Sequence, residues 1–183
     1  MKIGCIGWGS LFWDPQGLLI DKRWNEDGPH LPVEFLRKSD DGRLTLVLHK
    51  DFLPVPTLWS LMTTEDLDEA IESLMVREKC TTTRPIGSIR KSDPLPENGI
   101  KQTIHSWLQS KDLDAVIWTN LGPRFRDTNG VVPTKEEALE YLAQLPDSIK
   151  KLAETYIRRA PISVKTQYRS EFEKAYGWTY TPT

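Results

Sequence analysis

The chain has 183 residues, with 24 Lys plus Arg against 26 Asp plus Glu, a net charge of −2, 38% hydrophobic and 27% charged residues. That is the length and mix of one soluble globular domain, here residues 1–183. It lacks the basic excess of a dedicated nucleic-acid binder, and no apolar run approaches the ~18 residues of a membrane span. Cys5 and Cys80 stand far apart outside any C-x-x-C pattern, which argues against a disulfide scaffold or a structural zinc site and makes the cytoplasm the expected compartment. Residues 3–13 are apolar but broken by Gly4, Gly7 and Gly9. They have no basic flank beyond Lys2 and no small-residue cleavage site, so no signal peptide is expected.

In chain order, residues 2–6 read as a short apolar strand. Residues 33–37 and 44–49 flank Ser39-Asp40-Asp41-Gly42, a hairpin signal because Asp-Gly accepts positive φ. Residues 57–62 and 114–119 are further strands, and 86–90 is a weaker one. A helix is expected over 65–79, with Thr63 or Thr64 as N-cap and acids in its first turn. Others are expected over 98–109, 135–145 and 148–159. Thr134 to Glu137 reads as a capping box, Ile149, Leu152, Ala153, Tyr156 and Ile157 form an apolar stripe, and Pro161 ends the last helix. Strands lead, and helices gather in a C-terminal part from about residue 134. The expected class is α+β with a mixed or antiparallel sheet.

Two places invite chemistry. On the helix from residue 65, Leu67, Ala70, Ile71, Leu74 and Met75 follow the amphipathic template. Glu78 lies eleven residues beyond Leu67 and returns to within about 20° of it, in the middle of the apolar face. Asp68, Glu69 and Glu72 fall on the solvent side. A carboxylate on a core-facing stripe must be paired, protonated or functional. Either the helix frays before Glu78, or Glu78 pairs with an arginine such as Arg84, or it is a general acid/base at a pocket edge. The second place is Gly7-Trp8-Gly9-Ser10-Leu11, directly after the first strand. Glycines there leave backbone N–H groups uncovered for a carboxylate or oxyanion, with the Ser10 hydroxyl beside them. The alternative is a plain tight turn. The spacing reverses the G-x-G-x-x-G of dinucleotide loops, and no G-x-S-x-G elbow marks Ser10 as a nucleophile.

Together the two places resemble the γ-glutamylcyclotransferase-like family. Gly-Trp-Gly-Ser-Leu-Phe-Trp (7–13) is similar to its Tyr-Gly-Ser-Leu signature, and Leu-Met-Val-Arg-Glu (74–78) to its Leu-x-x-Arg-Glu segment, which carries the catalytic glutamate. The order, the gap of about 65 residues and the intervening hairpin agree, and the resemblance covers roughly residues 1–120. It implies a closed or nearly closed β-barrel with flanking helices. It also implies an enzyme that cyclises a γ-glutamyl amide to 5-oxoproline and releases an amine or amino acid. Glu78 would be catalytic, Trp8, Gly9, Ser10 and Leu11 would bind substrate, and no metal or cofactor would be needed. One small substrate touching both places would bring the Glu78 carboxylate within about 8 Å of the nitrogens of residues 9–11. Trp8 stands where the family has Tyr. The family often places a later tyrosine hydroxyl in its site, and Tyr168 and Tyr176 are candidates by position. The competing readings are a non-catalytic small-ligand binding module and an enzyme cleaving another γ-glutamyl amide.

The remaining residues have simpler readings. His30, His49 and His105 are too scattered for a metal set, and His105 is expected in solvent. Arg124 and Arg126 belong to a loop that is either solvated or a carboxylate clamp. Most of the seven tryptophans are expected in the core, with Trp8, Trp13 and Trp59 as candidate pocket walls.

Overall fold

The computed structural model describes residues 1–182. In chain order the elements are β1 (Ile3–Gly7), a 3-10 turn (Ser10–Phe12), β2 (His30–Leu31), β3 (Val33–Lys38), β4 (Leu44–Leu48), β5 (Val55–Pro56), β6 (Leu58–Leu61), α1 (Leu67–Arg77), β7 (Ile86–Arg90), α2 (Gly99–Gln109), β8 (Ala115–Thr119), β9 (Arg124–Phe125), β10 (Thr128–Asn129), α3 (Lys135–Ala143), α4 (Asp147–Arg159) and α5 (Gln167–Tyr176). The chain forms two compact units, each assembled from separate stretches. Met1–Gly7, Asp14–Leu31 and Pro56–Leu121 make the first. Trp8–Trp13, Pro32–Val55 and the stretch from Gly122 onward make the second.

The first unit is built on a four-stranded sheet of order β6-β1-β8-β7. β1 runs parallel to β8 and antiparallel to β6, and β7 is an antiparallel edge strand. The pairing register puts Gly4, Ile6, Trp59, Val116 and Trp118 on one face and Ile3, Cys5, Ser60, Ala115 and Ile117 on the other. Such a sheet is covered on both faces, so β1 and β8 read as unbroken apolar runs and are buried almost throughout. α1 packs over β7 and β8, with Leu67, Ala70 and Leu74 buried. Its N-cap is Asp66, which accepts from the N–H groups of Asp68 and Glu69, and not Thr63 or Thr64. On α2, Ile104, His105 and Leu108 are buried. His105 is therefore not in solvent: it is 5% exposed, with Nε2 3.2 Å from the Gln109 amide nitrogen. Trp107 of α2 meets Trp59 of β6 edge-on at 5.9 Å.

The second unit holds a four-stranded sheet of order β10-β9-β3-β4. β3 and β4 form the expected hairpin, closed by Gly42 N–H to Ser39 O at 2.9 Å and Ser39 N–H to Arg43 O at 2.8 Å. Gly42 sits at φ +88°, where a side chain would be strained. α3 begins with the expected capping box of Thr134 and Glu137. α4 buries Ala153, Tyr156 and Ile157 and ends at Ala160 before Pro161, although Leu152 of the expected stripe is 44% exposed.

The α+β class stands, but there is no closed barrel. The first sheet ends at β6 and β7 and the second at β10 and β4, so neither closes on itself. Closure needs the first and last strands of a sheet to pair, and among the described residues no pairing joins β6 to β7 or β10 to β4.

Candidate functional site

Glu78 occupies the end of α1 and not the middle of its face. The helix stops at Arg77. Glu78 is the C-cap at φ −81° and ψ 2°, its N–H donating to Leu74 O at 2.9 Å, and Lys79 follows at φ +55°. The side chain is nonetheless only 14% exposed. Its partner is the preceding residue and not Arg84, which is exposed. Arg77 Nη1 lies 3.0 Å from Glu78 Oε1, and Nη2 donates to Asp14 O at 2.9 Å. Cys5 of β1 senses this pair. Burial pushes its thiol up to about 12, the Glu78 charge adds to the rise, and Arg77 opposes it. Glu72 is exposed, as the helical wheel requires.

Residues 8–13 belong to the second unit. Trp8 and Leu11 are buried, and Ser10 is half-buried. Trp8 Nε1 donates to Leu46 O at 3.2 Å and so pins the start of the turn to β4. The turn is closed by Phe12 N–H to Gly9 O at 3.0 Å and by Trp13 N–H to Ser10 O. Gly9 has φ −140°, so no left-handed backbone calls for glycine here. The requirement is space: a Cβ at Gly9 would lie 2.4 Å from the Tyr156 hydroxyl. Tyr156 is 4% exposed. Its Oη accepts a long bond of 3.4 Å from Leu46 N–H, Trp13 meets its ring edge-on at 5.3 Å, and the Arg43 guanidinium lies 5.5 Å from the ring centre.

The tyrosine beside the glycine turn is thus Tyr156. Tyr168 and Tyr176 give their hydroxyls to the backbone, at Pro133 O (2.8 Å) and Leu139 O (2.7 Å). In sequence Tyr156 looked like one more member of an apolar stripe, and only its i+3/i+4 spacing from Ala153 and Leu152 marked it at all. Trp8, Gly9, Ser10 and Leu11 share one turn of the second unit, whereas Glu78 caps α1 of the first. Trp59 donates Nε1 to Asp27 Oδ1 at 2.8 Å. Arg124 is held by Asp40 (2.8 Å) and Arg126 by Glu137 (2.9 Å), so both loop arginines are in ion pairs.

A second buried carboxylate was missed. Glu34, 1% exposed on β3, accepts from Thr166 Oγ1 (2.5 Å), Tyr168 N–H (3.0 Å) and Phe35 N–H (2.8 Å), and so sits at the N-terminus of α5. Burial pushes its carboxyl up against the lowering effect of these donors. The signal was an acid inside the apolar run Val33 to Leu36. Among the described residues, no group of three or more His, Cys, Asp or Glu is placed to hold a metal, and no helix is long and apolar enough to cross a membrane. The chain matches no family model, no curated protein and no solved structure.

Proposed function

We propose that the chain is a γ-glutamylcyclotransferase-like enzyme that cyclises a γ-glutamyl amide to 5-oxoproline. The observation that carries the reading is the Glu78 carboxylate, 14% exposed and paired with Arg77 at a helix end. The α-amine of the glutamyl group attacks its own γ-carbonyl carbon. A C–N bond forms, closing a five-membered lactam, and the bond to the leaving nitrogen breaks. Because the attack is intramolecular, the protein has mainly to hold the curled pose. Glu78 takes the proton from the attacking nitrogen and returns it to the departing one. Arg77 positions Glu78 through its second bond to Asp14 O. The reaction asks for no metal or organic cofactor, and the partner is a small γ-glutamyl compound.

The test is incubation with a panel of γ-glutamyl amino acids, γ-glutamyl amines and glutathione, with 5-oxoproline read by mass spectrometry. Glu78→Gln is expected to lower turnover about 100-fold or more, and Glu72→Gln to leave it unchanged. Binding of a panel member without any 5-oxoproline would replace the enzyme reading by a small-ligand binding module.

A further inference from the structure

The edge of the first unit's sheet carries an unused pairing surface. Asn120 N–H donates to Pro85 O and Lys91 N–H to Asp114 O, and Gly87 and Ile89 stand opposite Trp118 and Val116. This alternation turns the backbone groups of Ile86, Ser88 and Arg90 away from β8. Two of them are blunted locally: Ile86 N–H donates to Thr83 O and Arg90 N–H to Asp93 Oδ2. Ser88 between them presents both its N–H and its C=O outward. Beside this edge runs an open groove of about 470 Å³ between α1 and β7, lined by Asp68, Ile71, Glu72, Met75, Ile86 and Ser88. Ile71 and Met75 belong to the apolar face of α1 yet stay only half-buried, and Val76 next to them is 66% exposed. Among the described residues, neither the Arg90 guanidinium nor the Asp68 and Glu72 carboxylates have an ion-pair partner.

We infer that β7 and α1 form a self-complementary surface on which a second copy of this chain docks about a two-fold axis through Ser88. Antiparallel pairing centred there lets the two Ser88 residues exchange N–H···O=C bonds, joining two four-stranded sheets into one of eight. α1 lies over β7 and β8. An axis half a strand spacing beyond β7 therefore sets the two copies of α1 about 10 Å apart, two spacings of ~4.8 Å. That is close to the 8–10 Å at which helices pack, so Ile71 and Met75 of one copy fill the groove of the other. The same symmetry brings Arg90 of one copy opposite Ile86 of the other, beside the carboxylate of Glu72. Charge complementarity thus favours a second copy over an unrelated apolar segment. The blunted ends confine the pairing to its centre, so the dimer is reversible, not permanent.

Sedimentation equilibrium of the full chain across the micromolar range tests this. A concentration-dependent dimer is expected. Ser88→Pro removes an N–H that β8 does not use and so is tolerated on an edge strand, and it is expected to weaken dimerisation at least about 10-fold, as is Met75→Lys. Should Ser88→Pro fail to fold, the surface charges decide: Arg90→Glu weakens the dimer, and adding Glu72→Arg to it restores association. A chain that stays monomeric overturns the inference and leaves the groove to another occupant, such as an extended basic peptide. A dimer indifferent to Met75→Lys, with Arg90→Glu not rescued by Glu72→Arg, overturns it equally.

Discussion

Gly9→Ala places a methyl carbon 2.4 Å from the Tyr156 hydroxyl, about 1 Å inside ordinary contact, so one of the two must move. The hydroxyl is the far end of its side chain, but the ring has little room. It is 4% exposed, with Trp13 edge-on at 5.3 Å, Phe35 edge-on at 6.1 Å and Arg43 over its face. Overpacking of this kind costs about 1–3 kcal/mol, a fall in Tm of about 2–12 °C for a chain of this size. Tyr156→Phe removes the offending oxygen. The next atom facing the new methyl is then Cζ at 3.4 Å, an ordinary distance. Tyr156→Phe alone loses the 3.4 Å bond from Leu46 N–H and is expected to cost at least about 0.5–1.5 kcal/mol. Urea and thermal unfolding of the four proteins of the cycle should therefore show Gly9→Ala as costly with Tyr156 present and nearly neutral in the Tyr156→Phe background, a coupling of at least about 1 kcal/mol. An equal cost of Gly9→Ala in both backgrounds would refute the reasoning and return Gly9 to a purely backbone role.

Three further outcomes are expected. An aromatic disulfide reagent at pH 8 should modify Cys80 alone in the native protein and reach Cys5 only on unfolding, because Cys5 is fully buried with its thiol pushed up to about 12. Glu34 has its folded pKa raised above the unfolded value of about 4.3, so its contribution to stability is fully present below that value and is lost as pH rises through the folded one. Chemical denaturation of wild type and Glu34→Gln from pH 4 to 7 should show the difference shifting steadily in favour of the glutamine variant. Glu78→Gln should cost about 1–3 kcal/mol through loss of the ion pair with Arg77, and Arg77→Gln should cost stability as well, since Arg77 also binds Asp14 O, while only Glu78→Gln abolishes turnover. Turnover unchanged in Glu78→Gln would make Glu78 a structural ion-pair member only.

Local signals were the legible ones. The hairpin at Gly42, the capping box of α3 and the stop at Pro161 each depend on a few adjacent residues, and each lies where the sequence puts it. The helical wheel found Glu78 as a shielded carboxylate but misplaced it, because the wheel assumes that the helix continues. The positive φ of Lys79 ends it, and no glycine marks the spot. α5 escaped because Gln167 to Tyr176 carries few apolar residues, the helix being anchored by Glu34 of β3 and by its own Arg169. The buried Arg169 guanidinium donates to the carbonyls of Ala160, Pro161 and Val164. The parallel pairing of β1 with β8 and the meeting of Gly9 with Tyr156 join residues far apart in sequence, and no local pattern encodes them.

The two shielded carboxylates separate by the partners they keep. Glu34 is saturated: a hydroxyl and backbone N–H groups converge on its two oxygens, and they come from the strand that carries it and the helix it caps. Any proton transfer at Glu34 would break bonds that hold α5 in place, so its surroundings suit a support and not a shuttle. Among the described residues Glu78 has one side-chain partner, Arg77, at 3.0 Å from Oε1. Its second oxygen takes part in none of the hydrogen bonds among the described residues, and the side chain is 14% exposed. Arg77 does not depend on Glu78 alone for its position, since it also binds Asp14 O. On the cyclotransferase reading proposed above, Glu78 would take up and release a proton while Arg77 stays tied to Asp14 O. A general acid/base needs that freedom together with partial shielding from water. Of the two acids, only the one at the helix end has both.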